Sequence, residues 1–348
     1  MKQIEAGILG ATGMVGQHFI RFLEGHPWFK LKWLGASDRS AGRTLRDATS
    51  WRLEGEMPEA AAGIVVSDSK PGNAPRLLFS ATDASVATEI EQAFAKAGHI
   101  IVSNSRNHRM DRDVPLLIPE INPHHLAACK LQQSNRGWKG MIVTNPNCST
   151  VVLTMALAPL AQFEIKMVVA TTLQAVSGAG YPGVPSMDIL ANVIPFVGGE
   201  EEKMQQETQK ILGTFQDNGF IPLGARISAH CNRVPVVDGH TVAVSVDFDR
   251  DVLVEEARHA IESFRGLPQE RKLPSAPARP LIYLDYPDRP QPRRDAAREG
   301  GMTTFVGRLR ECPVLDLKFV ACGHNTIRGA AGAAVLNAEL MVSEGLIE

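Results

Sequence analysis

The sequence predicts an α/β protein in two parts: a parallel sheet flanked by helices, then a second α+β domain carrying a mainly antiparallel sheet. Three observations carry this. The first hundred residues alternate short apolar runs with stretches of helical periodicity. A glycine-rich turn joins the first run to the first helical stretch. Beyond Cys148 the pattern changes to alternating strands, one face of which would be buried. A length of 348 residues exceeds the usual single domain and favours two.

Residues 4–9 (IEAGIL) read as a short buried strand, and residues 14–23 carry apolar side chains at helical spacing. Further strands are expected at 31–36, 76–80 and 100–103, with a helix over 84–97. In the second part a helix is expected over 150–161, an alternating strand over 166–174 and a polar helix over 200–212. Residues 241–248, 303–309 and 314–321 read as strands of the antiparallel sheet. The Pro-, Arg- and Asp-rich stretch 286–301 reads as a solvent-exposed loop, and 330–346 as a final Ala-rich helix.

Hydrophobic residues make up 44% of the chain and charged residues 21%, as in folded water-soluble proteins. With 36 basic and 38 acidic residues the net charge is −2, so no global field draws the chain to nucleic acid or to a membrane. Small molecules are the expected partners. The opening MKQIEAGILGATG shows neither a charged n-region with a long apolar stretch nor a cleavage site, so no export is expected, and residues 151–160, broken by Pro159, are too short to span a bilayer. Cytoplasmic residence is expected. Cys129, Cys148, Cys231, Cys312 and Cys322 are odd in number and lack C-x-x-C spacing, which argues against disulfides or a zinc ribbon. The histidines form no ligand-spaced cluster, and His124 and His125 read as surface residues, so no metal is expected.

The turn Gly10-Ala-Thr-Gly13-Met-Val-Gly16 lies where backbone must approach a pyrophosphate and a helix N-terminus offers free N–H groups. Its context of strand before and helix after makes the first part Rossmann-like, although the spacing is G-x-x-G-x-x-G and not G-x-G-x-x-G. At the end of the second strand an acidic residue would bind a ribose diol, and a basic one a 2′-phosphate. There the chain has Ser37-Asp38-Arg39-Ser40. Arg39 with the two hydroxyls suits the phosphate and favours NADP over NAD, while Asp38 suits a diol or a pairing with Arg43.

Cys148 follows Asn145-Pro-Asn at the start of an apolar helix, where the dipole lowers a thiol pKa and yields a nucleophile. The other four cysteines fit the common lot of a free cysteine, a small buried hydrophobe. Arg233 and His240, seven residues apart, form a pair able to bind a carboxylate and shuttle a proton. An isolated histidine beside Gly239 would instead cap a turn. Spacing alone does not bring Cys148 and His240, 92 residues apart, together.

The blocks GATGMVG, ASDRSAGR, NPNCST, LQAVSGAG and CNRVPVVDGHT, with the closing GHNTIRGAAGAAVLNAEL, occur in this order. Together they resemble the aspartate-semialdehyde dehydrogenases, in particular the archaeal and fungal branch, over essentially the whole chain. The resemblance implies NADPH-dependent reductive dephosphorylation of L-aspartyl-4-phosphate to L-aspartate 4-semialdehyde, in the biosynthesis of lysine, threonine, methionine and isoleucine. It makes Cys148 the thioacyl-forming nucleophile, His240 the acid/base and Gln174 the residue orienting the carbonyl. Arg233 would bind the substrate α-carboxylate, Glu200 (with Glu201 as a substitute) the amine, and Lys203 and Arg109 the phosphate. NADP would lie against Gly10, Thr12, Gly13, Met14, Val15, Ser37, Arg39, Ser40 and Asn325. Homodimers or homotetramers are implied.

The expected domains are 1–147, completed by the C-terminal helix 326–348, and a catalytic and oligomerisation domain over 148–325. The acidic run 200–202 would also suit a solvated helix start. N-acetyl-glutamyl-phosphate reductase shares this logic, but DGHT and SAGR favour the semialdehyde enzyme. Malonyl-CoA reductase of the same branch would keep Cys, His and Arg, and phosphate dependence separates it. A catalytically silent NADP-binding regulator would be marked by a lost nucleophile; Cys148 and His240 are both present.

Overall fold

Six short apolar runs, each closed by turn residues, pair as one all-parallel sheet. A computed structural model describes residues 3–216 and 219–348; Met1 and Lys2, which open the expected first domain, lie outside the described residues. The strands are β1 (Ile4–Leu9), β2 (Phe29–Ala36), β3 (Val66–Asp68), β4 (Leu77–Ser80), β5 (Ile100–Ser103) and β6 (Met141–Thr144). Their order is β3-β2-β1-β4-β5-β6, and every pairing is parallel. Strands β4 to β6 are buried end to end, as a sheet covered on both faces requires. Strand order reverses between β1 and β4, which opens a crevice at their C-terminal ends. β3 and β6 fall outside the sequence expectation; β3, at three residues, carries too little pattern to read.

In the second part, β7 (Ile165–Gln174), β10 (Arg226–Arg233), β11 (His240–Phe248), β12 (Leu281–Leu284), β13 (Thr304–Glu311) and β14 (Leu317–Gly323) form a second sheet. A separate hairpin joins β8 (Thr214–Gln216) to β9 (Gly219–Ile221). The second sheet runs β10-β7-β11-β14-β13-β12. Its three inner pairings are antiparallel and its two outer ones parallel, so it is mixed and mainly antiparallel. Along β7, Val168, Ala170, Thr172 and Gln174 are buried, while Val169 and Leu173 on the opposite face are exposed.

The helix Cys148–Leu157 is buried at every residue from Ser149 onward, as befits a helix that is apolar all round. Val151, Val152, Leu153 and Met155 share a core with Val168, Ala170, Val242, Val244, Phe319 and Ala321. Val335, Leu336 and Leu340 of the C-terminal helix Gly332–Ser343 instead join the core of the first sheet, with Phe19, Phe29 and Phe79. The chain therefore returns to its first half after completing the second sheet.

Several expectations need correction. The helix expected over 150–161 ends at Leu157 and tightens into a 3₁₀ turn over Ala158–Phe163, because Pro159 has no N–H to continue it. Residues 286–301 are not a free loop. Asp295 within them is fully buried, ion-paired with Arg289 and, at 3.0 Å, with Arg298. The final helix begins at Gly332, after a π turn over Ile327–Ala331. His125 is not a surface residue; it is fully buried, with Nδ1 2.9 Å from Asn122 Nδ2. Only its neighbour His124 is exposed.

Candidate active site

Asn147 is the N-cap of the Cys148 helix: its Oδ1 accepts from the N–H groups of Ser149 and Thr150 at 2.9 and 3.3 Å. This fixes Cys148 at the first helical position, facing β11. His240 opens β11, and its Nε2 lies 3.1 Å from Cys148 Sγ. The two residues separated by 92 positions are thus in contact.

Ala175, just past the end of β7, orients two side chains with one residue's backbone. Its N–H donates to His240 Nδ1 at 3.1 Å, and its carbonyl accepts from Arg233 Nη1 at 2.7 Å. Gln174 and Arg233 sit opposite one another across the β7–β10 pairing, and both are buried. Above them runs the 3₁₀ turn Val176–Ala179. A Cβ on Gly178 would lie 2.9 Å from Arg233 Nη1 and 3.0 Å from His240 Cε1. From the other side Gly329 closes on the nucleophile, where a Cβ would lie 2.7 Å from that of Cys148.

The helix Glu200–Ile211 supplies the charged wall. Glu200 Oε2 accepts from Asn147 Nδ2 and Oε1 from Lys203 Nζ, both at 2.7 Å. Glu201 points elsewhere: its Oε1 accepts from the Cys231 N–H at 3.0 Å. Of the two glutamates, only Glu200 joins the network around Cys148. Arg109 is buried and donates to Glu207 Oε1 at 3.0 Å and to the Asn104 carbonyl at 2.8 Å.

A lowered thiol pKa was expected from the helix start, and the site reverses it. Burial pushes the Cys148 thiol up to about 12, with Glu200 adding to the effect; Arg109, Arg233 and the Ser149 N–H pull the other way without prevailing. Burial, reinforced by Arg233 and His324, brings His240 down to about 3. The resting pair is therefore a neutral thiol beside a neutral imidazole.

At the crevice between β1 and β4, Gly10 has φ +75° and a Cβ there would lie 2.5 Å from the Ala81 carbonyl oxygen. Gly16 is equally constrained, 2.3 Å from the Gly10 oxygen. Gly13 is different: a Cβ would meet only the Gly10 oxygen at 3.6 Å. It stands as an uncapped N-cap before Met14–Leu23, leaving open space for an anion at free N–H groups. Thr12 is half-buried, its carbonyl accepting from Thr49 Oγ1 at 3.0 Å, and Val15 packs against the first-sheet core. Met14 lines a cavity of about 300 Å³ together with Val176 and Ser177, which joins this turn to the Gly178 loop. Asn325 ties the same loop down, accepting from the Gly239 N–H at 2.8 Å and donating to Ser177 Oγ at 2.7 Å. Ser37 and Arg39 are exposed at the end of β2, and Ser40 is buried. Arg43 donates to the Asp47 carbonyl, and among the described residues no ion pair joins it to Asp38. Among the described residues no cluster of His, Cys, Asp or Glu is arranged to hold a metal, and no helix is long and apolar enough to cross a membrane.

Residues 5–129 match the family model for the semialdehyde dehydrogenase NAD binding domain, and residues 157–328 match that for the semialdehyde dehydrogenase dimerisation domain. The aspartate-semialdehyde dehydrogenase of Archaeoglobus fulgidus is 48% identical over 342 residues, covering 98% of each chain. That of Methanothermobacter thermautotrophicus is 50% identical over 343 residues, 97% of this chain and 99% of the relative. The chain belongs to the aspartate-semialdehyde dehydrogenase family. Among solved structures, the Candida albicans aspartate semialdehyde dehydrogenase with NADP superposes with a TM-score of 0.92 at 42% identity, covering 99% of this chain and all of that one.

For a member of the aspartate-semialdehyde dehydrogenase family, sequence reading left out Ala175, Gly178, Asn147, Glu207 and Gly329. The signal for Asn147 was an Asn directly before an apolar helix. Gly178 and Gly329 lay in blocks already noted, but only three-dimensional contact gives them a reason.

Proposed function

We propose that this chain reduces L-aspartyl-4-phosphate to L-aspartate 4-semialdehyde with NADPH, and runs the reverse oxidation, through an acyl thioester on Cys148. The observation that carries the residue roles is the 3.1 Å contact of Cys148 Sγ with His240 Nε2, beside an Arg233 anchored on the Ala175 carbonyl.

Once its thiol has lost its proton to solvent, Cys148 attacks the acyl carbon as the thiolate, phosphate leaves, and a thioester remains. Gly10, Thr12, Gly13, Met14 and Val15 would hold NADPH, with Ser37, Arg39 and Ser40 receiving the 2′-phosphate, and the bound nucleotide would supply the hydride for the next half-reaction. Because Ala175 donates to Nδ1, the proton of neutral His240 sits on Nε2. From there it hydrogen-bonds the oxyanion that develops on the former carbonyl oxygen. The thiohemiacetal oxyanion then collapses, expelling the Cys148 thiolate and releasing the aldehyde. Gln174 orients the carbonyl, Arg233 holds the α-carboxylate in two parallel hydrogen bonds, and Glu200 receives the amine. Arg109 and Lys203 hold the departing phosphate, and Asn325, bonded to Ser177, would border the cofactor.

We assign residues 1–147 and the C-terminal helix 326–348 to cofactor binding, and 148–325 to catalysis and assembly. The match to a dimerisation-domain model and the exposed face bearing Val169 and Leu173 support an oligomer; homodimer or homotetramer is our reading, with the cytoplasm as its place. The test is a rate assay with NADP, phosphate and aspartate semialdehyde, omitting each in turn. Turnover should need all three. Oxidation that proceeds with CoA in place of phosphate would contradict the proposal in favour of a malonyl-CoA reductase.

A further inference from the structure

Glu200, Lys203, Glu207 and Lys210 recur at i, i+3, i+7 and i+10 on the helix Glu200–Ile211, and so share one face. Glu200 meets Asn147 and Lys203 meets Glu200; the second pair has no assigned role. Glu207 is 2% exposed and both of its oxygens are committed. Oε1 accepts from Arg109 Nη1 at 3.0 Å, and Oε2 accepts from the Asn147 backbone N–H at 2.6 Å. Asn147 is the cap that sets Cys148. Lys210, one turn on, donates to the carbonyls of Arg109, Asp111 and Val114 at 2.7, 2.8 and 2.8 Å, which pins the loop that carries Arg109.

We infer that Glu207 is a positioning residue for the reaction: a single carboxylate fixes the phosphate-holding guanidinium and the backbone before the nucleophile at a set separation. The inference rests on the proposed role of Arg109 in binding phosphate. The chemistry favours it. A buried guanidinium needs a charged partner, and Glu207 provides one while leaving Arg109 Nε buried and without a protein acceptor. That donor, with the Nη hydrogens not used by Glu207 and Asn104, remains for an incoming anion. Losing the carboxylate frees the guanidinium to turn and strips the Asn147 N–H of its acceptor.

The experiment is steady-state oxidation of the semialdehyde at varied phosphate, with Glu207→Gln, Arg109→Ala and the double variant. Glu207→Gln should raise phosphate KM about tenfold or more while leaving NADP KM within about twofold. The double variant should have a phosphate KM no higher than Arg109→Ala alone, because Glu207 acts through Arg109. Additive effects, or a wild-type phosphate KM in Glu207→Gln, overturn the inference while Arg109 keeps its role. A wild-type phosphate KM in Arg109→Ala withdraws the phosphate assignment itself, and the inference with it. If the glutamine variant does not bind NADP, Glu207→Asp, which keeps the charge but not the reach, takes its place with the same expected outcome.

Discussion

Ala175 donates its backbone N–H to Nδ1 of His240 at 3.1 Å, which leaves Nε2, 3.1 Å from Cys148 Sγ, as the protonated ring nitrogen. Under the proposed mechanism His240 acts from this tautomer as a donor, in place of the acid/base role that the resemblance implies, and the thiol gives its proton to solvent. The rate of semialdehyde oxidation should therefore climb with pH as the thiol, pushed up to about 12 by burial in the resting site, gives up its proton. His240→Asn should cost about 10²–10⁴-fold in kcat, the range of general acid/base and donor effects, yet keep the alkaline rise. A flat pH profile in that variant would make His240 the base after all.

Two glycines should tolerate no methyl group. A Cβ on Gly178 would press on Arg233 and His240, and one on Gly329 on Cys148, all at 3.0 Å or less. Gly178→Ala and Gly329→Ala should each lose about 10²-fold in kcat/KM, the scale of an ångström's misplacement, with NADP affinity kept. Wild-type kinetics in either would show that the neighbouring side chains give way.

Arg39 is exposed at the end of β2 and, among the described residues, has no ion-pair partner. Arg39→Ala should raise the KM for NADP by about 1.5–3 kcal/mol equivalent, one charge-assisted contact, and leave that for NAD nearly unchanged. Equal loss for both cofactors would place the 2′-phosphate elsewhere.

Acid should destabilise the fold through histidines buried neutral. His125 and His240 are both held near 3 by burial, against an ordinary 6.5. Between these values the unfolded chain binds protons that the folded chain refuses, so stability is fully present above pH 6.5 and is lost as pH falls towards 3. Each histidine contributes up to about 1.4 kcal/mol per pH unit in that window. His125→Asn should flatten the decline of Tm between pH 6 and about 4, measured by thermal unfolding; an unchanged slope would assign the acid sensitivity elsewhere.

Much of this was legible in the residues. IEAGIL and the glycines after it announce the crevice, since a short apolar run closed by a glycine turn is a local pattern, and Asn-Pro-Asn-Cys places a cysteine at a helix start. What stayed hidden is non-local. The pairing of Cys148 with His240 depends on strand β11 lying beside that helix, and Gly329 depends on the chain returning from the second sheet. Local reasoning also misjudged the thiol: the Ser149 N–H does favour the thiolate, but at this half-buried first helical position desolvation outweighs what the helix end supplies.

In the proposed mechanism Cys148 alone carries the acyl group. Incubating the protein with aspartate semialdehyde and NADP in the absence of phosphate should halt the reaction at the thioester, and peptide mass spectrometry should find the acyl adduct on Cys148 alone. Cys148→Ser should form no adduct and lose nearly all turnover while still binding NADP, since a serine hydroxyl is barely ionised near neutral pH and its ester is a poorer acyl donor. An adduct on Cys129, Cys231, Cys312 or Cys322, or full activity in Cys148→Ser, would contradict the account.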